Sequence, residues 1–338
     1  MTADRRQVLS KNDFWNGRPT LVTGATGFLG QAVSQHLARQ GAKVISLVRS
    51  SAAERGEAAS FLNSNTTVVS GEIRDQSGLE YLMAKHKVDT IFHFAAQTIV
   101  GLANKDPIPT LETNIAGTWA LLEAARKAGS IRQMVLSSSD KAYGEAVSLP
   151  YTEDLPLLGG RPYETSKACA DLLAQSYAST FGLPVAITRC GNFYGPGDFN
   201  WSRIVPGTVR SVVKGERPLI RSDGLFIRDY FHIQDGASAN LLLAEKLSED
   251  PTLRGQAFNF SNETYVTVLD LVKKILTYMK SPLEPDVRNE ASNEIRNQSL
   301  NAEKARRVLG WKPNYTLDER LGQTVDWYVD YFAHQHHP

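Results

Sequence analysis

Cysteine is scarce in this chain. Only Cys169 and Cys190 occur among 338 residues, and no CxxC or Cys/His ligand spacing appears. That excludes a disulfide framework or a zinc centre as expectations and leaves two buried thiols in a reducing cytoplasm. Charge of one sign is also lacking. The formal net charge is +1, which gives no electrostatic basis for bulk nucleic-acid or membrane binding. No apolar run approaches the roughly 20 residues that span a bilayer. Met1 to Pro19 is polar and has no apolar stretch with a cleavage site, so no secretory signal is expected. His334, His336 and His337 read as a solvated tail rather than a metal site. Repeats and low-complexity stretches are absent. What remains is 42% hydrophobic, enough for a large core or two interleaved ones.

The opening stretch has a clear pattern. Thr20 to Thr23 is a short β-prone apolar run, as in a buried parallel strand. Gly24, Gly27 and Gly30 follow, then a helical pattern through Val33, Leu37 and Ala38 to Gly41, then a strand from Lys43 to Val48. Strand, glycine loop, helix and strand form the first unit of an α/β doubly wound parallel sheet. Gly24 permits the tight turn, Gly27 lets the backbone approach a pyrophosphate, and Gly30 lets helix and strand pack closely. Thr26, Phe28 and Leu29 complete the loop, and the helix N-terminus offers N–H donors to the phosphates. NAD sites place an acid after the second strand. Arg49 stands there instead, and its guanidinium matches a 2′-phosphate, so NADP is expected over NAD.

Further strands are expected at Thr67 to Ser70, Asp89 to Phe94, Gln133 to Leu136 and Val185 to Thr188. Glu72 and Ile73 are placed to meet an adenine ring, and Ala95, Ala96 and Gln97 form the next exit loop. His93 fits a hydrogen-bonded core histidine. Glu112 to Ala128 fits a long helix that carries Asn114 and stops at Gly129. After Cys190 the pattern becomes short and polar-aromatic, as in a smaller lobe covering a ligand. The main sheet is expected to resume near Phe231 to Ile233 and Ala257 to Phe260. The expected division is 1–190 with 230–260 for the dinucleotide, and 191–229 with 261–338 for the substrate.

Tyr163 and Lys167 lie four apart, on one face of a helix running to Phe181, with Ala168, Leu172, Leu173 and Tyr177 expected to pack. An ammonium beside a phenol favours the phenolate, which can take a proton from a substrate hydroxyl as hydride leaves for a nicotinamide.

With these residues in view, the chain resembles an extended short-chain dehydrogenase/reductase of the NAD(P)-dependent nucleotide-sugar epimerase/dehydratase family. The likeness runs from Thr20 to about Tyr328. It rests on Gly24/Gly27/Gly30, Ala95 to Gln97, Asn114, Ser139, Tyr163/Lys167, Asn192 to Gly197, Arg228 to Tyr230 and Leu309 to Pro313. It implies a Rossmann-type sheet with a smaller C-terminal substrate-binding lobe, a tightly bound and recycled cofactor, a nucleotide-diphosphate sugar as partner, and a homodimer. The dimer would form through outward faces near 112–128 and 163–181. By resemblance, Ser139 hydrogen-bonds the reacting oxygen, Tyr163 is the base, and Lys167 also holds the nicotinamide ribose. Gln97, Asn192, Arg203, Arg221 and Arg228 join Ser139 in holding the substrate, with Arg228 on the diphosphate.

Asp140 and Lys141 separate the reactions open to such a site. A Ser-Asp-Lys sequence resembles that of cytidine-diphosphoglucose 4,6-dehydratases, as does Phe14 to Gly17. Arg49 resembles guanosine-diphosphomannose dehydratases, which use NADP. In a 4,6-dehydration, oxidation at C4 acidifies the C5 proton. Lys141 would remove it while Asp140 protonates the departing C6 hydroxyl, and hydride returns to C6. A lysine base must be neutral, which requires desolvation or nearby positive charge; the roles could be shared or reversed. Adjacent side chains on extended backbone would instead point apart. Epimerisation at C4 or another carbon, 4-ketosugar reduction, and a non-catalytic dinucleotide-binding regulator are the alternatives.

Overall fold

Pro19–Thr23 forms β1, and Gly24 leaves it with a φ of +71°. In order come α1 (Phe28–Arg39), β2 (Lys43–Val48), β3 (Thr67–Ser70), α2 (Gln76–His86), β4 (Thr90–His93), α3 (Val100–Lys105), α4 (Pro107–Leu111) and α5 (Gly117–Ala128). Next are β5 (Gln133–Ser137), α6 (Pro162–Phe181), β6 (Val185–Cys190), β7 (Asn192–Tyr194), α7 (Ile204–Val213), β8 (Leu219–Ile220), β9 (Ile227–His232) and α8 (Ile233–Glu249). The last are β10 (Ala257–Phe260), β11 (Tyr265–Thr267), α9 (Val268–Tyr278), β12 (Asp286–Val287) and α10 (Leu317–Gln335). The computed structural model describes residues 14–49, 66–145, 148–290 and 294–335.

The main sheet has seven parallel strands in the order β3-β2-β1-β4-β5-β6-β10. Its strands read as near-continuous apolar runs because successive residues feed opposite cores. Leu21, Ile91 and Met134 face one core, under α2, α5 and α6. Val22, Phe92 and Val135 face the other, under α1 and α8. Each such side chain contributes about 1.5–3 kcal/mol by leaving water. The chain runs outward from β1 in one direction and then from β4 in the other. A crevice therefore opens at the carboxyl ends between them.

A three-stranded sheet, β7-β9-β11, and the two-stranded pair β8/β12 form the covering part. Its own core gathers Tyr194, Val209, Tyr230, Ile275, Leu321 and Tyr328.

Several expectations change. Phe231 and His232 lie in β9, which pairs with β7 and β11 rather than rejoining the main sheet. Only α8 and β10 return to it. The expected helix at Glu112 begins earlier, at Pro107, where a proline at the first helical position loses no hydrogen bond. Residues Glu112–Ala116 then form a π-helical turn, which carries the buried Asn114. Leu172 is 52% exposed, because α6 turns Ala170, Asp171 and Ala174 inward instead. Of the two thiols, Cys190 is buried and Cys169 only half-buried. Helix α2 went unforeseen, although Leu79, Leu82 and Met83 share a face and Asp75 caps it through Gly78.

Candidate active site

A cavity of about 1310 Å³ opens at the ends of β1, β4, β5 and β6. Gly24, Phe28, Leu29 and Gly30 line one wall. A Cβ on Gly24 would lie 2.6 Å from the Ala95 nitrogen, and one on Gly30 would collide with the Gly24 carbonyl oxygen. Gly27 caps α1 with extended backbone and no side-chain bond, so side chains leave the first N–H groups unclaimed. This bare backbone cradle at a helix N-terminus fits a dinucleotide pyrophosphate. Thr26 sits in the turn, its carbonyl accepting from Gln31 Nε2 at 2.8 Å.

The other cofactor candidates divide. Ala96 lines the cavity, whereas Ala95 packs against a core. Arg49 stands exposed at the end of β2. Glu72 is exposed beside Arg74 at 3.8 Å. The Ile73 side chain is buried against Gly117. Gln97 lies between Ala96 and Thr98, which line the cavity, and its side chain bonds locally. Its amide donates to Thr110 Oγ1 at 2.9 Å and to the Ile99 carbonyl at 3.2 Å. Asn114 is spent on structure: Oδ1 accepts from Gln97 N at 2.7 Å, and Nδ2 donates to the Gln97 carbonyl and to Ser166 Oγ. It ties the Ala95–Gln97 loop to α6. His93 bonds Thr23 at 2.8 Å and Thr118 at 3.0 Å, and burial lowers it to about 3, as a neutral core histidine.

Ser139, Tyr163 and Lys167 all line the cavity. Ser139 follows β5 and Tyr163 begins α6, so parallel neighbours bring them together. Lys167 donates to the Ser137 carbonyl at 2.7 Å, and burial lowers it to about 8. Tyr163 is raised to about 12, first by burial and then by the charge of Asp140; the Arg203 cation and a Ser139 hydrogen bond pull the other way. The Lys167 ammonium donates to a backbone carbonyl, and the Arg203 cation favours the phenolate.

Asp140–Tyr143 forms a 3₁₀ turn, not extended chain. The turn removes the opposite-faces objection. Lys141 Nζ lies 3.4 Å from Asp140 Oδ1 and donates to Asn192 Oδ1 at 3.1 Å. Ser139 Oγ donates to Asp140 Oδ1 at 2.9 Å. Lys141 lines the cavity, while Asp140 is 1% exposed behind it, with Oδ2 unpartnered.

Arg203, Arg221 and Arg228 also line the cavity. Arg203 pairs with Asp198 at 2.9 Å, and Arg228 donates to the carbonyls of Ile227 and Arg296 at 2.9 Å. Arg221 Nη2 is 3.5 Å from the Ser202 carbonyl. Arg210, Lys214, Arg217 and Arg288 join the same walls and escaped the sequence reading. They are scattered over α7, its exit and the β12 end, so no spacing marks them.

Known proteins match this chain along most of its length. The profile of the family described as GDP-mannose 4,6 dehydratase matches residues 21–324. The CDP-glucose 4,6-dehydratase of Salmonella typhimurium is 32% identical, covering 95% of this chain and 93% of that protein. Among solved structures, the UDP-glucose 4-epimerase of Thermotoga maritima with UDP-glucose is 29% identical with a TM-score of 0.84, covering 93% and 99%. The dTDP-glucose 4,6-dehydratase of Bacillus anthracis in complex with NAD is 29% identical with a TM-score of 0.80, covering 93% and 97%.

Proposed function

As the chain belongs to the GDP-mannose 4,6-dehydratase family, we propose that it is a nucleotide-sugar 4,6-dehydratase, a hydro-lyase that makes a 4-keto-6-deoxy sugar. The observation that carries this reading is the contact of the buried Asp140 with Lys141, which lines the cavity together with Ser139 and Tyr163. Epimerisation needs no such acid–base pair.

Residues 1–190 with 230–260 are assigned to the cofactor, and 191–229 with 261–338 to the sugar nucleotide. The Gly24 to Gly30 loop would hold the pyrophosphate, and Lys167 the nicotinamide ribose. When bound there, a nicotinamide would supply the hydride acceptor for C4 and the hydride donor for C6. Tyr163 would accept the O4 proton as the phenolate, the form that the Arg203 cation and the Ser139 hydrogen bond favour against burial, while Ser139 hydrogen-bonds that oxygen, leaving a C4 ketone. Lys141, the member of the pair that reaches the cavity, takes the C5 proton. The C6–O bond breaks, and the oxygen leaves as water with a proton supplied from Asp140. Lys141 would return its proton to C5 as hydride is returned to C6, so that one water is lost with no net oxidation. Asp140 lies behind Lys141 and bonds both it and Ser139, which supports protons shared within a coupled pair. Asn192 holds Lys141 in place, and Arg203, Arg221 and Arg228 face the diphosphate.

Arg49 at the end of β2 supports NADP over NAD. Two free thiols, Cys169 and Cys190, support a reducing cytoplasm. Exposed apolar residues on α5 and α6 support a homodimer.

One experiment tests the reaction. The protein is incubated with a panel of nucleotide-diphosphate sugars, with NAD and NADP in parallel, and the products are weighed. Loss of one water is expected, faster with NADP. An unchanged mass with altered chromatography would establish epimerisation instead, and a gain of two hydrogens with reduced cofactor a ketosugar reductase. Equal rates with both cofactors would remove the role given to Arg49.

A further inference from the structure

A buried ion pair lies beneath the active site, outside the chemistry just described. Arg189 on β6 is 2% exposed and grips Asp171 with two bonds, Nε at 2.8 Å and Nη2 at 3.0 Å. Asp171 is fully buried on α6, one turn beyond Lys167. The same guanidinium reaches the other way. Its Nη1 donates to the Tyr143 hydroxyl at 2.9 Å, and its carbon sits 4.9 Å from the Tyr143 ring centre. Tyr143 closes the 3₁₀ turn that starts at Asp140. Its hydroxyl donates onward to Asn259 Oδ1 on β10 at 2.7 Å, and Asn259 Nδ2 donates to the Tyr151 carbonyl at 3.0 Å.

The cost of this arrangement suggests a purpose. A buried ion pair is a poor source of stability, because desolvation offsets much of its attraction. What it supplies is geometry: a bidentate fork has one orientation. Here the fork clamps α6, which carries Tyr163 and Lys167. Its third arm clamps the turn that carries Asp140 and Lys141. Ser139 bridges the same two elements from the cavity side, through Asp140 and Tyr163, and Arg189 bridges them from beneath. Burial keeps the Tyr143 phenol protonated, raised to about 12, so its O–H stays available as a donor while its oxygen accepts from Arg189.

Resting on the dehydratase reading, we propose that Arg189 and Tyr143 are positioning residues that set the acid–base pair against the hydride-transfer pair, so that water loss follows oxidation. The two steps need the substrate at two places, C4 for Tyr163 and C5 with C6 for Asp140 and Lys141. A small slip between the two elements leaves oxidation intact and spoils elimination.

Tyr143→Phe is the sharpest probe. It keeps the ring, its packing on Tyr151 and the Arg189–Asp171 pair, and removes only the shared hydroxyl. Three rates are read on wild type and variant with a sugar nucleotide that the wild type dehydrates. They are formation of reduced nicotinamide by ultraviolet absorbance, uptake of deuterium at C5 from heavy water, and loss of water by mass. The expected result is elimination slowed on the order of 10- to 100-fold, with nicotinamide reduction changed less than about 2-fold and reduced cofactor accumulating. Arg189→Lys, which keeps the charge and loses the fork, should show the same split. If reduction and water loss fall together, in step with a lower melting temperature, the network is only structural and the proposal is wrong. Unchanged elimination in Tyr143→Phe also overturns it. A wild type that removes water from no sugar nucleotide would sink the dehydratase reading itself, a different outcome from either.

Discussion

Asp229 is a buried carboxyl whose titration is tied to folding. It lies on β9, fully buried, with Oδ2 accepting from Ser261 Oγ at 2.5 Å and from Leu300 N at 3.2 Å. Oδ1 has no partner. Burial raises its pKa to about 7, and the charges of Asp140 and Glu263 push the same way. The unfolded chain releases this proton near 3.8. Between 3.8 and about 7 the folded chain therefore holds a proton that the unfolded chain has lost, and stability falls as pH rises through that window. An amide in place of this carboxyl does not titrate. Asp229→Asn should thus gain on wild type by roughly 1–3 kcal/mol on going from about pH 4 to about pH 8. Melting temperatures of both proteins across that range measure it; a constant gap would contradict the assignment. The same reasoning separates Tyr163 from Lys167. Their spacing was visible in the sequence, but burial, which no spacing reports, lowered Lys167 and raised the phenol.

The glycine loop is the element most legible in the sequence. Strand, turn and helix have local causes: an apolar run, a residue that tolerates positive φ, and a 3.6-residue period. Its tight packing gives a sharp test. In Gly30→Ala the new methyl would strike the Gly24 carbonyl and sit 2.9 Å from Ala25 Cα, so the turn must open. A loss of about 1–3 kcal/mol in stability is expected, together with weaker nicotinamide dinucleotide binding by fluorescence titration. Unchanged affinity would show that the cradle does not hold the dinucleotide. The 3₁₀ turn at Asp140–Tyr143 was less legible. Serine, aspartate and lysine in a row give no local sign that the turn will be tight. Arg189 and Tyr143, 46 positions apart, hold it. The early start at Pro107 and the π turn around Asn114 escaped for a similar reason: the widened turn accompanies bonds to Gln97 and Ser166, both distant in sequence.

At the scale of the molecule, α5 and α6 present Trp119 (52% exposed), Leu172 (52%) and Phe181 (53%) to the outside. A second copy covering these faces would remove them from water. Light scattering should give a mass of two chains, and Trp119→Glu with Leu172→Glu should reduce it to one; a wild-type mass of one chain refutes the dimer.

By itself the sequence determined the α/β class, the glycine loop and the four-residue spacing of Tyr163 and Lys167, which follow from short-range pattern. The roles of Ser139, Asp140 and Lys141 rest on family resemblance. Tertiary structure alone decided that Asp140 and Lys141 touch and that Asp140 is buried behind Lys141. It also gathered Arg210, Arg217 and Arg288 around the same space. Those outcomes depend on which distant strands become neighbours and on what each buried polar group finds there, and neither is written in local spacing.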